Sequence, residues 1–495
     1  MKFLKITLLI VIFTILFQVS HIKAQVQDES WSRPFRLSSE KGEASEGYIT
    51  SDQYGFVHVF WTETGFSDQR TSIQYARFDG NIWSNPVDIY VTAPGTSIPV
   101  RNALSPFVDS DGQLHLVWTE GNSGPVYYAS VPAHDASSAQ NWSLPLRIDI
   151  PAFELQLKVD SKGVLHLLYI QFFGQDLGIY YTRSEDRGES WTLPVWLDPD
   201  IPINQFPARV QLVMDEADGL HAVWYYNNDL GVATWARYTH SLDGGENWSR
   251  PLTIDDLDGG ISVLPQPILA VQDQSVHIVW GGAGSSYRNH LISNDRGQTW
   301  LPPNRIFGDL HGAAEQDSMV TDADGRIHFA GQIRPPAAIY HAYWDQDEWK
   351  ELSSIYLLNL ETHIPALGGI HAHAVRLALR NGNQLITIFT TSPGDPQRIL
   401  YAMQRTPYSI PPATSAPTPS PIEAPSNQPE TSDAESNQQV TTPTAAGQEP
   451  TFETSSEVNT ATTGSAIWIG VLPAFIVLGG ILTIRFFWRR KQGLL

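Results

Sequence analysis

Three arginines and several acidic side chains are the residues of this sequence that could bind or act on a ligand. Arg101, Arg209 and Arg376 could together clamp an anionic group, because guanidinium groups pair with carboxylates through two parallel hydrogen bonds. Glu63 and Glu120 could serve as the carboxylate pair that general acid and base catalysis requires. The remaining candidates are a third carboxylate and two adjacent tyrosines for ligand contact: Asp317, Tyr225 and Tyr226.

These side chains form a site only if the fold carries them to one face. The alternative is a solvated rim, because charged side chains usually stay in water. The strands and turns that carry these residues decide whether they meet.

One phrase recurs along the chain, Asp-x-x-Gly-x-apolar-His-x-x-Trp, with small variations. It is clearest at Asp52 to Trp61 and at Asp109 to Trp118, and a seventh, weaker copy runs from Arg380 to Phe389. Successive copies are separated by roughly 50 to 60 residues, which suits four short strands and their turns. This repeat predicts an all-β propeller.

A second phrase, Trp-Ser-x-Pro, falls between successive copies of the first. Proline cannot donate to a sheet ladder, so we predict that this segment forms the outermost strand of each blade. The last copy of the first phrase has no such partner, whereas Trp31 to Leu37 carries the second phrase with no blade before it. The count predicts seven blades closed by this N-terminal strand, with six blades as the alternative.

Six histidines occupy the same position of the first phrase in six blades. A shared repeat position favours a framework role, because a metal site needs three or four ligands around one ion and related blades hold these side chains apart. We predict no metal site and no cofactor. The residues are His58, His115, His166, His221, His277 and His328.

Three segments match a sharper pattern, Ser-x-Asp-x-Gly-x-x-Trp, which suits a tight turn between the third and outer strands. Its residues are Ser184, Asp186, Gly188 and Trp191; Ser241, Asp243, Gly245 and Trp248; and Ser293, Asp295, Gly297 and Trp300. The pattern resembles the Asp box, the bacterial neuraminidase repeat of sialidases and of many other propellers, and the resemblance covers residues 30 to 405. It implies that these residues are structural turns remote from the ligand face.

The resemblance also implies where a sialidase would carry its catalytic residues. That family has an arginine in an Arg-Ile-Pro motif on the first inner strand, two later arginines, a Tyr-Glu pair and an aspartate. The corresponding segment here, Glu46 to Ser51, contains no arginine, and the family enzymes have six blades. Binding sites of propellers more often lie on the face where inner strands begin, and we expect Glu46 and Glu154 on that face beside the candidates above.

Both ends of the chain carry targeting signals. Residues 1–25 follow the plan of a secretory signal peptide, residues 26–405 hold the propeller, and residues 406–465 read as a disordered stalk rich in Pro, Ser and Thr. Residues 466–484 contain no charge and are long enough to form a transmembrane helix, and the basic tail 485–495 predicts a cytoplasmic C-terminus. We therefore predict a single-pass protein of the cell membrane with an extracellular propeller.

The leading functional hypothesis is a cell-surface binding or scaffolding module that recognises glycan or protein. The alternatives are an exo-acting, sialidase-like glycoside hydrolase with a non-standard site and an assembly factor for a membrane complex. The net charge of -21 argues against a nucleic-acid partner, since phosphates would meet an acidic surface.

Overall fold

The structure is a computed structural model that describes sixteen segments of the chain between residues 30 and 405. They are residues 30–40, 42–65, 70–93, 97–98, 103–121, 124–171, 177–201, 204–230, 232–254, 266–281, 288–308, 313–314, 317–334, 338–357, 371–392 and 399–405. The predicted signal peptide, stalk, membrane span and basic tail lie outside these residues. No helix in the described segments is long and apolar enough to span a bilayer.

The described chain is built from short strands in seven antiparallel sheets. The strands of its first half are β1 (Phe35–Arg36), β2 (Gly42–Ala44), β3 (Tyr48–Ser51), β4 (Val57–Gly65), β5 (Thr71–Phe78), β6 (Val87–Val91), β7 (Leu104–Val108), β8 (Gln113–Thr119), β9 (Pro125–Pro132), β10 (Leu146–Pro151), β11 (Glu154–Val159), β12 (Leu165–Gln171), β13 (Gly178–Ser184) and β14 (Val195–Trp196).

The second half repeats the same pattern. Its strands are β15 (Gln205–Met214), β16 (Leu220–Asn228), β17 (Ala233–Ser241), β18 (Leu252–Thr253), β19 (Ile268–Gln272), β20 (Ser275–Gly281), β21 (Arg288–Ser293), β22 (Asn304–Ile306), β23 (Ala313–Ala314), β24 (Ser318–Thr321), β25 (Ile327–Arg334), β26 (Ala338–Asp345), β27 (Glu348–Leu357), β28 (His371–Arg380), β29 (Gln384–Ser392) and β30 (Ile399–Gln404). Two short 3-10 helices, Ala133–Asp135 and Ala139–Asn141, separate β9 from β10.

Each sheet is one blade of a propeller. In six blades the strands pair in chain order, with β3, β7, β11, β15, β19 and β24 as the innermost long strands, and the seventh blade has the order β28, β29, β30, β1. Each inner strand contacts the inner strand of the next blade, and β28 contacts β3. The seven-bladed prediction is therefore confirmed, and the six-bladed alternative is wrong.

The N-terminal segment closes the ring as predicted. Phe35 pairs with Ala402 and Arg36 with Tyr401, while Trp31 bridges to Arg405. A proline stands directly before six of the seven outer strands. Because proline has no backbone N–H to donate, it lies just outside the hydrogen-bonded ladder. The six prolines are Pro34, Pro86, Pro145, Pro194, Pro251 and Pro303.

The repeated histidines are buried in hydrogen-bonded relays within the blades. In the fourth blade, His221 Nε2 lies 3.2 Å from Asp215 Oδ2, and its Nδ1 lies 2.8 Å from the hydroxyl of Tyr238. The first two blades repeat this arrangement with Tyr75 and Tyr128, and in the third blade His166 bonds Tyr181 while its Nε2 lies 3.5 Å from Asp160. In the fifth and sixth blades a second histidine, His290 or His341, replaces the tyrosine.

The tryptophan of the following blade packs over the end of each relay. Trp300 meets Tyr238 edge to face at 4.8 Å between ring centres, and Trp248 meets Tyr181 at 4.9 Å. Trp31 of the closing segment takes the same place on His341, at 5.6 Å. The outer-strand phrase therefore supplies the contact between blades.

The turns of the Ser-x-Asp-x-Gly-x-x-Trp segments complete these contacts. In the fourth blade the Ser241 hydroxyl bonds Asp243 and accepts from the amide of Gly245. Gly245 has a φ of 84°, and a Cβ atom there would lie 1.9 Å from the hydroxyl of Tyr181. Only glycine fits, because both the backbone angle and the neighbouring phenol exclude a side chain.

Trp31 provides a test of ring closure. Trp31→Ala should lower the free energy of unfolding by about 3 to 5 kcal/mol, because it removes a buried indole from the seam between the first and last segments. Trp196→Ala is the control, since this indole is 41% exposed on an outer strand. Urea denaturation would measure both changes, and equal losses would contradict the closing role of Trp31.

The buried histidines should make stability depend on pH. Burial lowers the pKa of His277 to about 4, and burial likewise lowers the pKa of His58, His166 and His328. Unfolded histidine titrates near a pKa of about 6.5, so the unfolded chain takes up protons first as the pH falls. Stability should be complete above about pH 6.5 and should fall toward pH 4.

Urea midpoints at pH 7.0, 5.5 and 4.5 would measure this loss. His277→Gln should reduce the loss between pH 6.5 and 4, because one buried titrating group is gone. His134→Gln should not, since its side chain is 38% exposed. A midpoint that stays constant over this range would refute the explanation.

Candidate functional site

The inner strands surround a central cavity of about 410 Å³. Its wall takes residues from the inner strands of six blades and includes the charged side chains Lys158, Arg209, Asp317 and Arg376. A cavity of this size is in the range that accepts a small ligand or the end of a chain. It is the candidate functional site.

The antiparallel order assigns the two ends of this cavity to different parts of the repeat. The turns between first and second strands and those between third and fourth strands lie at one end, as the pairing of Val159 with Leu165 and of Leu165 with Ser184 shows. The other end holds the starts of the inner strands and the loops between second and third strands. The Asp-box-like turns and the bulges that carry Arg209 and Arg376 therefore lie at opposite ends.

A bulge in β15 directs Arg209 to the cavity. The pairing with β16 shifts between Ala208 and Gln211, and Arg209 adopts a left-handed φ of 59°. Its backbone N–H donates to Glu154 Oε2 at 2.7 Å, and its Nη1 lies 3.3 Å from Glu46 Oε2. Burial opposes the guanidinium charge, but the two carboxylates outweigh burial and raise the pKa of Arg209 above its usual value.

A matching bulge in β28 precedes Arg376. The pairing with β29 shifts between His373 and Arg376, and Ala374 has a φ of 51°. The guanidinium carbon of Arg376 lies 6.0 Å from the centre of the Tyr48 ring, at the start of β3. Two bulges on different blades therefore deliver one arginine each to the same end of the cavity.

Tyr48 lies among the charges of this group. It is 5% exposed, and its hydroxyl has no hydrogen-bond partner among the described residues. Burial raises the pKa of Tyr48, Glu46 and Glu154 raise it further, and Arg376 and Arg209 act in the opposite direction. The phenol is therefore neutral at physiological pH and is a hydrogen-bond donor.

The structure brings together two of the three predicted arginines. Both Arg209 and Arg376 act electrostatically on Tyr48, whereas Arg101 lies outside the described residues. Tyr225 lies close enough to Arg209 to affect its pKa. Tyr226 instead points into the core between the third and fourth blades, where its hydroxyl donates to Asp198 at 2.9 Å.

The three predicted carboxylates are each held by a separate structural partner. Glu63 accepts hydrogen bonds from the Ser39 backbone N–H and from the Trp61 indole, both at 3.2 Å. Glu120 accepts from the Tyr90 hydroxyl at 2.6 Å. Asp317 reaches the cavity wall, but both of its oxygens bond the buried guanidinium of Arg288, and burial raises its pKa.

The residue group Glu46, Glu154, Tyr48, Arg209 and Arg376 is called the mouth cluster below. The repeat predicts Glu46 and Glu154 on this face, whereas Tyr48 is not among the residues predicted to bind a ligand. A signal was present in the repeat, because Ser105 and Gln156 take the place of Tyr48 in the next two blades when the strands are aligned on their partners. An aromatic residue at that position breaks the pattern.

Comparison with known proteins yields structural likeness only. No protein-family model matches the sequence, and no curated protein matches it. A protein of unknown function from Dyadobacter fermentans has 14% identity and a TM-score of 0.45, covering 76% of this chain and 100% of that one. The NanB sialidase from Streptococcus pneumoniae has 13% identity and a TM-score of 0.43, covering 76% and 70%.

A further solved structure, polysaccharide lyase Uly1, has 10% identity and a TM-score of 0.47, covering 77% of this chain and 94% of that one. Identities this low do not transfer an activity between proteins that share a fold. The function is therefore inferred from the residues and geometry of the site.

The Tyr48 hydroxyl can be tested by a matched pair of substitutions. Tyr48→Phe should leave the free energy of unfolding unchanged or raise it by about 1 kcal/mol, because it removes a buried group without a described partner. Tyr226→Phe should lower it by about 1 to 3 kcal/mol, because it leaves Asp198 without its donor. Chemical denaturation measures both, and an equal loss in Tyr48→Phe would show that its hydroxyl has a stabilising partner.

Proposed function

We propose that the propeller is a carbohydrate-binding module that holds an acidic saccharide terminus at the mouth cluster. The observation that carries the proposal is the convergence of Arg209 and Arg376 on one end of the cavity, beside Tyr48. Guanidinium groups bind a ligand carboxylate, while neighbouring carboxylates and a neutral phenol can bond sugar hydroxyls. The same set of donors and acceptors suits no nucleic acid, because the protein as a whole is strongly acidic.

The state of Tyr48 favours binding over covalent catalysis. A phenol whose pKa is raised stays protonated, so it is a poor nucleophile and a good donor. Arg209 is also held from two sides by Glu46 and Glu154 before any ligand arrives. Such a preorganised group binds with a small loss of conformational entropy.

A second candidate function is glycoside hydrolysis. It is favoured by one observation, which is that two carboxylates accompany Arg209, Glu46 at its guanidinium and Glu154 at its backbone N–H. A pair of carboxylates flanking a bound sugar is the usual equipment for hydrolysis. The two functions share the same site and differ only in turnover.

The proposal extends to the cellular setting. The signal-peptide pattern, the uncharged segment 466–484 and the basic residues after it support an extracellular propeller held at the membrane. In that setting the mouth cluster would face saccharides or glycosylated proteins outside the cell.

Binding can be tested with the full-length protein on an array of neutral and acidic glycans, followed by calorimetry on those that bind. Acidic termini should be preferred, and Arg209→Ala or Arg376→Ala should weaken their binding at least tenfold, the loss expected for a charged hydrogen bond. Arg250→Ala is the control, because this side chain is 90% exposed just before the outer strand β18. Equal binding of neutral and acidic termini would overturn the proposal.

Turnover of fluorogenic glycosides separates the two candidates. A binding module should release no fluorophore with either the wild-type protein or Glu46→Gln. Release by the wild-type protein that Glu46→Gln abolishes would establish the hydrolase instead.

A further inference from the structure

Lys158 is a cavity residue for which the mouth cluster provides no role. It lies on β11, lines the same cavity as Arg209 and Arg376, and its Nζ lies 4.8 Å from the centre of the Phe107 ring. No carboxylate lies within ion-pair distance of this ammonium group in the described segments. Burial lowers the pKa of Lys158 to about 8, as expected for a cation that the protein does not neutralise.

Lys158 lies at the other end of the cavity from the mouth cluster. Glu154 begins β11 beside Arg209, and Lys158 is four residues further along the strand, one residue before its end at the turn. Four residues of strand span about 13 Å. Lys158 is therefore about 13 Å along the channel from the level of Glu154 and Arg209, and about 7 Å from the level of Arg376, which corresponds to Gln156 in the repeat.

The charges of the cavity wall differ in sign from those of the whole protein. Among the described residues that line the cavity, Lys158, Arg209 and Arg376 are cationic, and the one acidic residue, Asp317, is bonded on both oxygens by Arg288. The chain as a whole carries a net charge of -21. Low-dielectric walls concentrate the field of such a channel, so it attracts anions although the outer surface repels them.

We propose that Lys158 binds a second anionic group of the same ligand, so that the ligand is a polyanionic saccharide with a charged group on successive units, such as an oligouronate. This inference rests on the proposed function, since the first anionic group binds at the mouth cluster. An oligosaccharide can bind the mouth cluster through the carboxylate of either terminal unit. If the rest of the chain extends along the channel, its second or third carboxylate lies near Lys158.

Binding at Lys158 would also change its protonation. An anion beside the ammonium group favours its charged form and raises its pKa. Near pH 8, where part of the free protein carries a neutral amine, binding should therefore take up protons. A ligand that binds only at the arginines should not show this uptake, because guanidinium groups stay charged throughout.

The test is isothermal titration calorimetry of the full-length protein with galacturonate, digalacturonate and trigalacturonate. The trimer should bind at least tenfold more tightly than the monomer. Lys158→Gln should remove this gain and leave monomer binding unchanged, whereas Lys158→Arg should retain most of it. Lys162→Gln is the control for general charge loss, because Lys162 is exposed in the turn after β11.

Titrations of the trimer in two buffers of different ionisation enthalpy at pH 8 give the second readout. The wild-type protein should take up protons on binding, and Lys158→Gln should not. If the monomer binds but Lys158→Gln leaves trimer affinity and proton uptake unchanged, the role of Lys158 is wrong while the proposed function stands. If neither monomer nor trimer binds, the proposed function fails for uronates and this inference fails with it.

Discussion

The contact between neighbouring blades determines the geometry of everything else in this propeller. In the first, second and fourth blades an aspartate, a histidine and a tyrosine form a hydrogen-bonded relay, with variants in the third, fifth and sixth, and tryptophans from following blades pack on such relays. The relay satisfies polar groups that burial would otherwise make costly, and the tryptophan excludes water from the seam. Because the chain has no cysteine, no disulfide supports this seam. Trp31 makes the same contact from the opposite end of the chain, so one interaction both stacks the blades and closes the ring.

A closed and rigid ring permits irregular backbone at its centre. The inner strands β15 and β28 both carry a bulge near the loop-bearing end, and in each case the bulge includes a residue other than glycine at positive φ. Such conformations cost free energy and persist where the surrounding structure holds them. Here Glu154 bonds the backbone of the bulged residue itself. The two bulges place Arg209 and Arg376 at one cavity.

The cavity divides into two regions with different electrostatics. At the mouth, carboxylates accompany the arginines and a neutral tyrosine, so charge there is balanced and directional. Toward the turns, the ammonium of Lys158 lies against the Phe107 ring, and no carboxylate of the described segments pairs with it. A ligand that matches both regions needs polar contacts at its end and a negative charge further along. Lateral strands, turns and the outer surface contribute to neither region, which separates the stabilising repeat from the recognition residues.

The sequence by itself determined the all-β propeller, its seven blades and its closing strand. The reason is that each of these depends on a local phrase of fixed spacing, in which counterparts of Trp31 recur in every blade and counterparts of Pro34 in all but one. The tertiary structure alone decided which polar side chains meet. Tyr226 and Tyr225 are adjacent in sequence, but alternation along β16 sends Tyr226 into the core between the third and fourth blades and Tyr225 into the core between the fourth and fifth, near Arg209. Bulges shift this alternation without a strong sequence signal, and Tyr48 gains its significance from Arg209 and Arg376, which are distant along the chain and adjacent only in the closed ring.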